Sequence, residues 1–237
     1  MVVLLEQEVA AKAKLFSSSQ RSKPKKNNSQ KPIKMDDNQL LIVFTRKPEL
    51  GKVKTRLAKE TSDETALAVY HDLLKHTHNI TKDLNVDKWV FYTDDIEIHD
   101  LWDEGAFVKM TQIEGTLGAK MQNAFLKGFA SGYLEIILIG SDLETLTPEI
   151  LTQAFEEVKQ QTVIGPSEDG GYYLLGLNEP KTSVFNFKDW GTDTVLRDTL
   201  MDLEEEEVFL LEELNDIDFL EDIDQNSSVF HHVKNYK

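Results

Sequence analysis

The 237-residue chain contains no cysteine. That excludes disulfides, thiol catalysis and cysteine-ligated zinc or iron–sulfur sites, and it fits a reducing compartment. No apolar run approaches the roughly 20 residues that a membrane-spanning helix requires. Residues 3 to 5, VLL, are too short for the apolar region of a secretory leader and lack a basic flank before them. A cytoplasmic protein without a membrane span is expected. Neither GxGxxG nor GxxxxGK[ST] occurs, which sets aside the Rossmann dinucleotide loop and the P-loop.

Positive charge is scarce and unevenly placed. There are 26 basic against 42 acidic residues, a formal net charge of -16. Residues 1 to 34 hold eight Lys/Arg against Glu6 and Glu8, which leaves 18 basic against 40 acidic residues in the rest. Such a body repels polyanions, so nucleic acid is not expected as a partner. Residues 17 to 38 are Ser, Lys, Asn and Gln with two prolines and little to bury, so 1–38 reads as a disordered basic extension. Its functional alternative is a basic arm for nucleic acid. Met35 lies just before the first strand, and residues 1–34 are expected to be either an appended tail or the result of a start assigned too early. The folded domain is expected over 39–226 and a C-terminal tail over 227–237.

Within the domain, strand and helix patterns alternate. LLIVFT (40 to 45), KWVFYT (88 to 93), FVKMTQI (107 to 113), EIILIG (135 to 140), TVIG (162 to 165) and YYLLGL (172 to 177) are apolar runs of strand length. Thr61 with Glu64 reads as a capping box before a helix with Ala66, Tyr70, Leu73, Thr77, Ile80 and Leu84 inward. Leu117, Met121, Ala124, Phe125 and Phe129 mark a second helix. Thr147 and Pro148 open a third, and residues 193 to 203 make a fourth. This alternation predicts an α/β fold: a mostly parallel sheet with helices on both faces.

Ligands of such sheets bind beyond the carboxyl ends of the strands. Three loops there carry chemistry. In FTRKPELGKVKTRL (44 to 57), Arg46, Lys47, Lys52, Lys54 and Arg56 face one acid, Glu49, and Gly51 bends the chain. These cations suit phosphate oxygens, arginine bidentately; a solvated basic loop is the plain alternative. In GSDLE (140 to 144), Asp142 leaves the most apolar strand and is placed either to hold Mg2+ or Mn2+, with Glu144 as helper, or to cap the next helix. In GPSEDGGYYLLGL (165 to 177), Gly170 and Gly171 allow close approach of a ligand, and Glu168 and Asp169 offer a general base or a metal contact; the same string reads as a hairpin turn. Trp190 either packs its loop or stacks on a base or sugar. His71, His76 and His78 share one helix without a spaced partner and are read as boundary residues. EEEE at 204 to 207 is read as a solvated helix end or turn. Asp216 and Asp218 of DIDFLEDI (216 to 223) are read as caps of the last helix, with a second metal contact as the alternative.

FTRKPELGKVKTRL, QIEGTLGAKMQNAF, LIGSDLETLTPEIL, GPSEDGGYYLLGL, WGTDTVL and DIDFLEDI, in this order over about residues 40 to 224, resemble the radical-SAM/selenodomain-associated transferase 1 family. That family is a set of bacterial proteins named as glycosyltransferases with the GT-A-like nucleotide-diphospho-sugar transferase fold. The resemblance places its basic-Pro-Gly and V-K-T-R-L pattern on Arg46, Pro48, Gly51 and Lys54 to Leu57, including Thr55. It places an LGxRM block on Leu117, Gly118, Lys120 and Met121, and the metal-binding aspartate of GT-A-like enzymes on Asp142. The DGGYY block, Asp169 to Tyr173, is similar to one in 2-phospho-lactate guanylyltransferases, which implies substrate contact at Gly170, Gly171 and Tyr172. Glu144 and Thr145, Leu50 and Thr116 depart from the family pattern.

The function expected is a metal-assisted transferase moving a sugar from a nucleotide-diphospho-sugar to a small-molecule acceptor, with Asp169 as catalytic base and Glu168 in reserve. The alternatives are a nucleotidyltransferase joining an NTP to a phosphorylated metabolite, and a non-catalytic nucleotide-binding protein. The sequence indicates no oligomeric state.

Overall fold

A computed structural model of the chain describes residues 38–102 and 105–237. The basic extension, through residue 37, and its nucleic-acid alternative lie outside the described residues. Strands β1 (Gln39–Thr45), β2 (Asp87–Tyr92), β3 (Val108–Thr111), β4 (Glu135–Ile139), β5 (Thr162–Pro166), β6 (Tyr172–Leu177) and β7 (Val208–Leu210) form one seven-stranded sheet, ordered β3-β2-β1-β4-β6-β5-β7. The described helices are α1 (Thr55–Glu60), α2 (Asp63–Thr81), α3 (Leu117–Ala130), α4 (Pro148–Glu157), α5 (Val195–Asp202) and α6 (Phe230–Val233).

The unbroken apolar runs of β1, β2 and β4 follow from burial on both faces. Successive side chains alternate sides, so Leu41, Val43, Val90, Ile137 and Ile139 join one core with Tyr70 and Leu74 of α2 and Leu151 and Phe155 of α4. Leu40, Ile42, Phe91, Ile136 and Leu138 join the other with Met121, Ala124 and Phe125 of α3. Each such side chain contributes about 1.5–3 kcal/mol on burial, so placing a charge at Ile137, fully buried in the middle of β4, would break the sheet at its centre. α4 begins as its sequence dictates: the Thr147 hydroxyl accepts from Ile150 N and Pro148 occupies the first turn.

The sheet is mostly parallel, as expected, but β6 runs antiparallel to both β4 and β5. Residues 167 to 171 therefore form the turn of a hairpin, closed by Ser167 N donating to Gly171 O. α2 is capped by Ser62, whose hydroxyl accepts from Thr65 N, and not by the Thr61–Glu64 pair. Thr61 instead ends α1, a helix within the segment read as loop, with its amide bonded to Leu57 O. The acidic run at 204 to 207 is a turn leading into β7. Asp216 and Asp218 cap none of the described helices; they lie in an irregular segment, where Asp222 accepts from the Asp218 and Phe219 amides.

The segment read as a tail, 227–237, folds back onto the domain. Val229 and Val233 are buried with Leu57, Val69 and Leu73 in a third apolar cluster. No described helix is long and apolar enough to cross a membrane.

Candidate active site

The carboxyl ends of β1, β2 and β4 open into a cleft of about 550 Å³. Its floor is fixed by a buried hydroxyl network. Ser141 Oγ donates to Thr45 Oγ1 at 3.2 Å and lies 3.4 Å from the Tyr70 hydroxyl, which in turn accepts from Arg46 N at 3.0 Å. This network ties the loop after β1 to the loop after β4 and to α2, setting where Arg46 and Asp142 project.

Lys54 is the centre of the charge arrangement. Its backbone is left-handed (φ 44°, ψ 47°), a conformation that costs a non-glycine residue about 1–2 kcal/mol, and it occupies the cap position of α1. Its side chain is 4% exposed, and Nζ donates to Asp142 Oδ2 at 2.7 Å and Asp218 Oδ1 at 3.2 Å. Burial alone would depress the Lys54 ammonium pKa, but the two carboxylates outweigh it and hold the group charged above its ordinary range. Asp142, with a side chain 38% exposed, is pulled the opposite way: partial burial opposes ionisation, yet Lys54 keeps its carboxyl below the usual carboxylate range. Arg56 adds a bond to Asp218 Oδ2 at 2.6 Å. Asp216 accepts no hydrogen bond among the described residues. Burial, with Asp218, Asp142 and Asp169 nearby, pushes it up to about 6 against the pull of Lys54.

Most of the cations in 44 to 57 are therefore paired in the fold, and the cleft keeps a smaller cationic surplus. Lys47 pairs with Glu97 at 2.8 Å and Lys52 with Glu49, while Lys54 and Arg56 meet acids from loops 88 and more residues away. Arg46 and Lys120, both lining the cleft, form no close ion pair among the described residues, although Arg46 lies near enough to help lower the Asp142 carboxyl.

A second cleft of about 240 Å³ adjoins the first, sharing Phe44, Leu117 and Asp142 with it. It is walled by Tyr172 and Trp190, which meet edge to face at 6.3 Å, and by Asp169, Gly171 and Asp216. Asp169 Oδ1 accepts from the Ser167 hydroxyl and from Gly171 N, whereas Oδ2 accepts no hydrogen bond among the described residues. Trp190 packs its indole on α3, where a Cβ at Gly118 would come within 2.6 Å of Nε1, and its ring also walls the second cleft. The Tyr172 hydroxyl is buried with no hydrogen bond of good geometry among the described residues, although Thr199 lies beside it; burial pushes its pKa well up.

The other expected residues divide clearly. Arg46, Lys52, Lys54, Thr55, Arg56, Lys120 and Asp142 line the first cleft. Gly51 makes the turn before it (φ 75°) and Gly118 packs beneath it, and neither lines it. Glu168 is exposed and lines neither cleft. Gly170 lines neither cleft: at φ 83° its position for a Cβ lies 2.3 Å from Asp193 O, so it packs closely on the chain itself. Glu144, read as a metal helper, lines neither cleft and accepts from the Ser227 hydroxyl at 2.7 Å and from Ser228 N. Leu117, read as core, is 45% exposed and lines both clefts.

No curated protein matches the chain in sequence. A family model described as "Uncharacterized protein conserved in bacteria (DUF2064)" matches residues 76–192, a stretch that includes Asp142 and Asp169 but neither the cationic loop nor Asp216 and Asp218. Among solved structures, a candidate nucleotide-diphospho-sugar transferase from Desulfovibrio desulfuricans superposes with a TM-score of 0.74 at 25% identity, over 84% of this chain and 94% of that one. A 4-diphosphocytidyl-2C-methyl-D-erythritol synthase from Anaerococcus prevotii (TM-score 0.53, 12% identity, 83% and 95% covered) shares the fold. So does a nucleotidyl transferase from Methanothermobacter (0.51, 12%, 84% and 100%). The chain is thus similar to the DUF2064 proteins across its middle and has the nucleotide-diphospho-sugar transferase fold, while the narrower radical-SAM-associated grouping stays a resemblance of motifs.

Proposed function

We propose that the chain is a transferase that takes a nucleotide-diphospho-sugar as donor and passes its sugar to a small hydroxyl acceptor. One observation carries the reading: a cationic cleft and an aromatic-walled cleft meet at Asp142, where Lys54 bridges carboxylates from two distant loops. The Desulfovibrio neighbour, matched over nearly its whole length, supports a transferase with this kind of donor.

In this reading the diphosphate lies in the first cleft. Arg46 and Lys120, which form no close ion pair among the described residues, would bind its oxygens, Arg46 in bidentate fashion. The donors are all oxygen, as a hard divalent cation prefers: Asp142 Oδ2 and Asp218 Oδ1 meet on one ammonium, whose place an ion would take as the carboxylates draw together, and the Asp216 carboxyl accepts no hydrogen bond among the described residues. Asp142 would hold Mg2+ or Mn2+ with help from Asp216 and Asp218, and the ion would supply charge neutralisation for the departing diphosphate. The acceptor lies in the second cleft, its faces against Trp190 and Tyr172. Its hydroxyl oxygen bonds to the anomeric carbon as the bond from that carbon to the diphosphate oxygen breaks. The bonding pair leaves with the diphosphate, and the hydroxyl proton passes to Asp169, whose Oδ2 is free to accept it.

The test is a calorimetric titration with UDP-, GDP- and ADP-sugars and with UTP, GTP and ATP, with and without Mg2+ or Mn2+, beside Asp142→Asn. Metal-dependent binding of one nucleotide-sugar, lost in the variant, is the expected result. Preference for an NTP with pyrophosphate release would replace sugar transfer by nucleotidyl transfer, for which the same cations serve. Binding without turnover of any acceptor would leave a nucleotide-binding protein.

A further inference from the structure

We propose that Asp72, His231 and His232 form a second metal site, for a borderline transition-metal ion such as Zn2+, which fastens the C-terminal helix α6 to α2. Asp72 belongs to α2 and the two histidines to α6, so the trio joins segments about 160 residues apart. One ligand atom from each lies within 4.8 Å of the others, and no other trio of His, Asp or Glu among the described residues meets that condition. The carboxylates around Lys54 do not.

The hydrogen bonds orient these groups as metal ligands are oriented. His231 Nδ1 lies 2.9 Å from Ser228 O. A carbonyl oxygen only accepts, so Nδ1 carries the proton; in the neutral tautomer this leaves the bare lone pair on Nε2, 3.8 Å from Asp72 Oδ2. Two electron-rich atoms facing each other call for a cation between them, a proton or a metal ion. His232 Nε2 approaches the same oxygen at 2.8 Å. The other carboxylate oxygen, Oδ1, is held by Lys75 Nζ at 2.8 Å, which leaves Oδ2 to the two rings. A histidine whose second nitrogen is tied to a backbone carbonyl, beside a carboxylate fixed by a cation, has the outer-shell support typical of metal sites.

The spacing also suits a tetrahedral ion. With metal–ligand bonds near 2.0–2.1 Å, neighbouring ligand atoms lie about 3.3 Å apart, a value the 2.8 and 3.8 Å separations bracket. His231 is 59% exposed, so an ion enters from solvent and water completes its coordination, while Asp72 and His232 sit at 29% and 23%. Two imidazoles and one carboxylate favour Zn2+, Co2+ or Ni2+ over Mg2+, which separates this site chemically from the oxygen-lined cleft. Its effect would be mechanical. Val229 and Val233 flank the histidines and bury against Leu57, Val69 and Leu73, so an ion there locks the lid of that apolar cluster.

The experiment is calorimetric titration of tag-free full-length protein with ZnCl2, together with the visible absorption of Co2+ added in its place. One equivalent of ion, Co2+ bands of low-symmetry coordination, and a rise in melting temperature with Zn2+ are expected. Binding should fall about tenfold or more in His231→Ala, in His232→Ala and in the shape-conserving Asp72→Asn, and stay unchanged in Asp142→Asn or in excess Mg2+. Equal binding by the His231→Ala/His232→Ala double variant, with an unaltered circular dichroism spectrum, would overturn the proposal. So would the absence of Zn2+ binding to the native chain.

Discussion

Lys54 Nζ lies 2.7 Å from Asp142 Oδ2, so an ammonium from the loop after β1 rests on the carboxylate best placed to hold a metal ion. Asp142 and Asp218 lose this cation in Lys54→Met. We expect a loss of about 1–3 kcal/mol of stability at pH 7.5, below the figure for a fully buried pair because Asp142 is partly exposed. The folded Asp142 carboxyl titrates below its unfolded value, so its contribution is present above the unfolded pKa and disappears as pH falls through the folded one. The gap between native and variant should therefore narrow in acid. Urea unfolding at pH 7.5 and near pH 3 measures it, and added MgCl2 should stabilise the variant more than the native protein.

Asp216 titrates in the opposite sense. Its folded pKa, about 6, is above the usual 3.8, so the folded state binds the proton more tightly and ionisation destabilises it as pH rises through that window. Asp216→Asn should raise the melting temperature of chelator-treated protein at pH 7.5. A shift of this size corresponds to at most about 3 kcal/mol, and the advantage should vanish near pH 4. Melting curves across that range decide the point.

Gly170→Ala should be costly. A methyl group there meets Asp193 O at 2.3 Å on a backbone at φ 83°, so we expect about 2–4 kcal/mol of destabilisation and a displaced 190s loop. Gly171→Ala, which meets the Asp169 carboxylate at 3.1 Å, should cost less stability and more turnover. Chemical denaturation beside steady-state kinetics separates the two.

Glu144 fastens residues 227 and 228 to the loop after β4. Glu144→Ala should expose the C-terminal segment to limited proteolysis while leaving metal-dependent nucleotide binding within about twofold of native, as expected for a group outside the cleft. A large loss of binding would return Glu144 to the metal.

The strands were legible because burial on both faces writes an unbroken apolar run, as in EIILIG. Direction was not, because YYLLGL reads the same whether β6 runs parallel or antiparallel to β4. Asp142 was recognisable from its place just past β4. Asp218 was read as a helix cap with a metal contact as the alternative, but its meeting with Lys54 was not legible, since 76 residues separate it from Asp142 and only the fold brings both to that ammonium. Counting charges near Glu49 misjudged the cationic loop, because Coulomb attraction follows distance in space and Lys47 finds Glu97. Adjacent Thr61 and Ser62 were equally good caps by type. β7 is three half-exposed residues beside an acidic run, too short to carry a period. The histidines of α6 fell in a stretch read as tail, and their partner Asp72 lies on another helix.

The reversed strand has a consequence for assembly. β1 must await β4, whose registered partners are 96 residues away, whereas β5 and β6 pair across a five-residue turn and can form early as a local unit. That hairpin carries Asp169, Gly171 and Tyr172, and the parallel half carries Arg46, Lys54 and Asp142. The zipping of β6 onto β4 joins the two halves of the sheet. On refolding, catalytic competence should thus lag the return of secondary structure, and the seam between β4 and β6 is where a partly unfolded chain would lose its chemistry first.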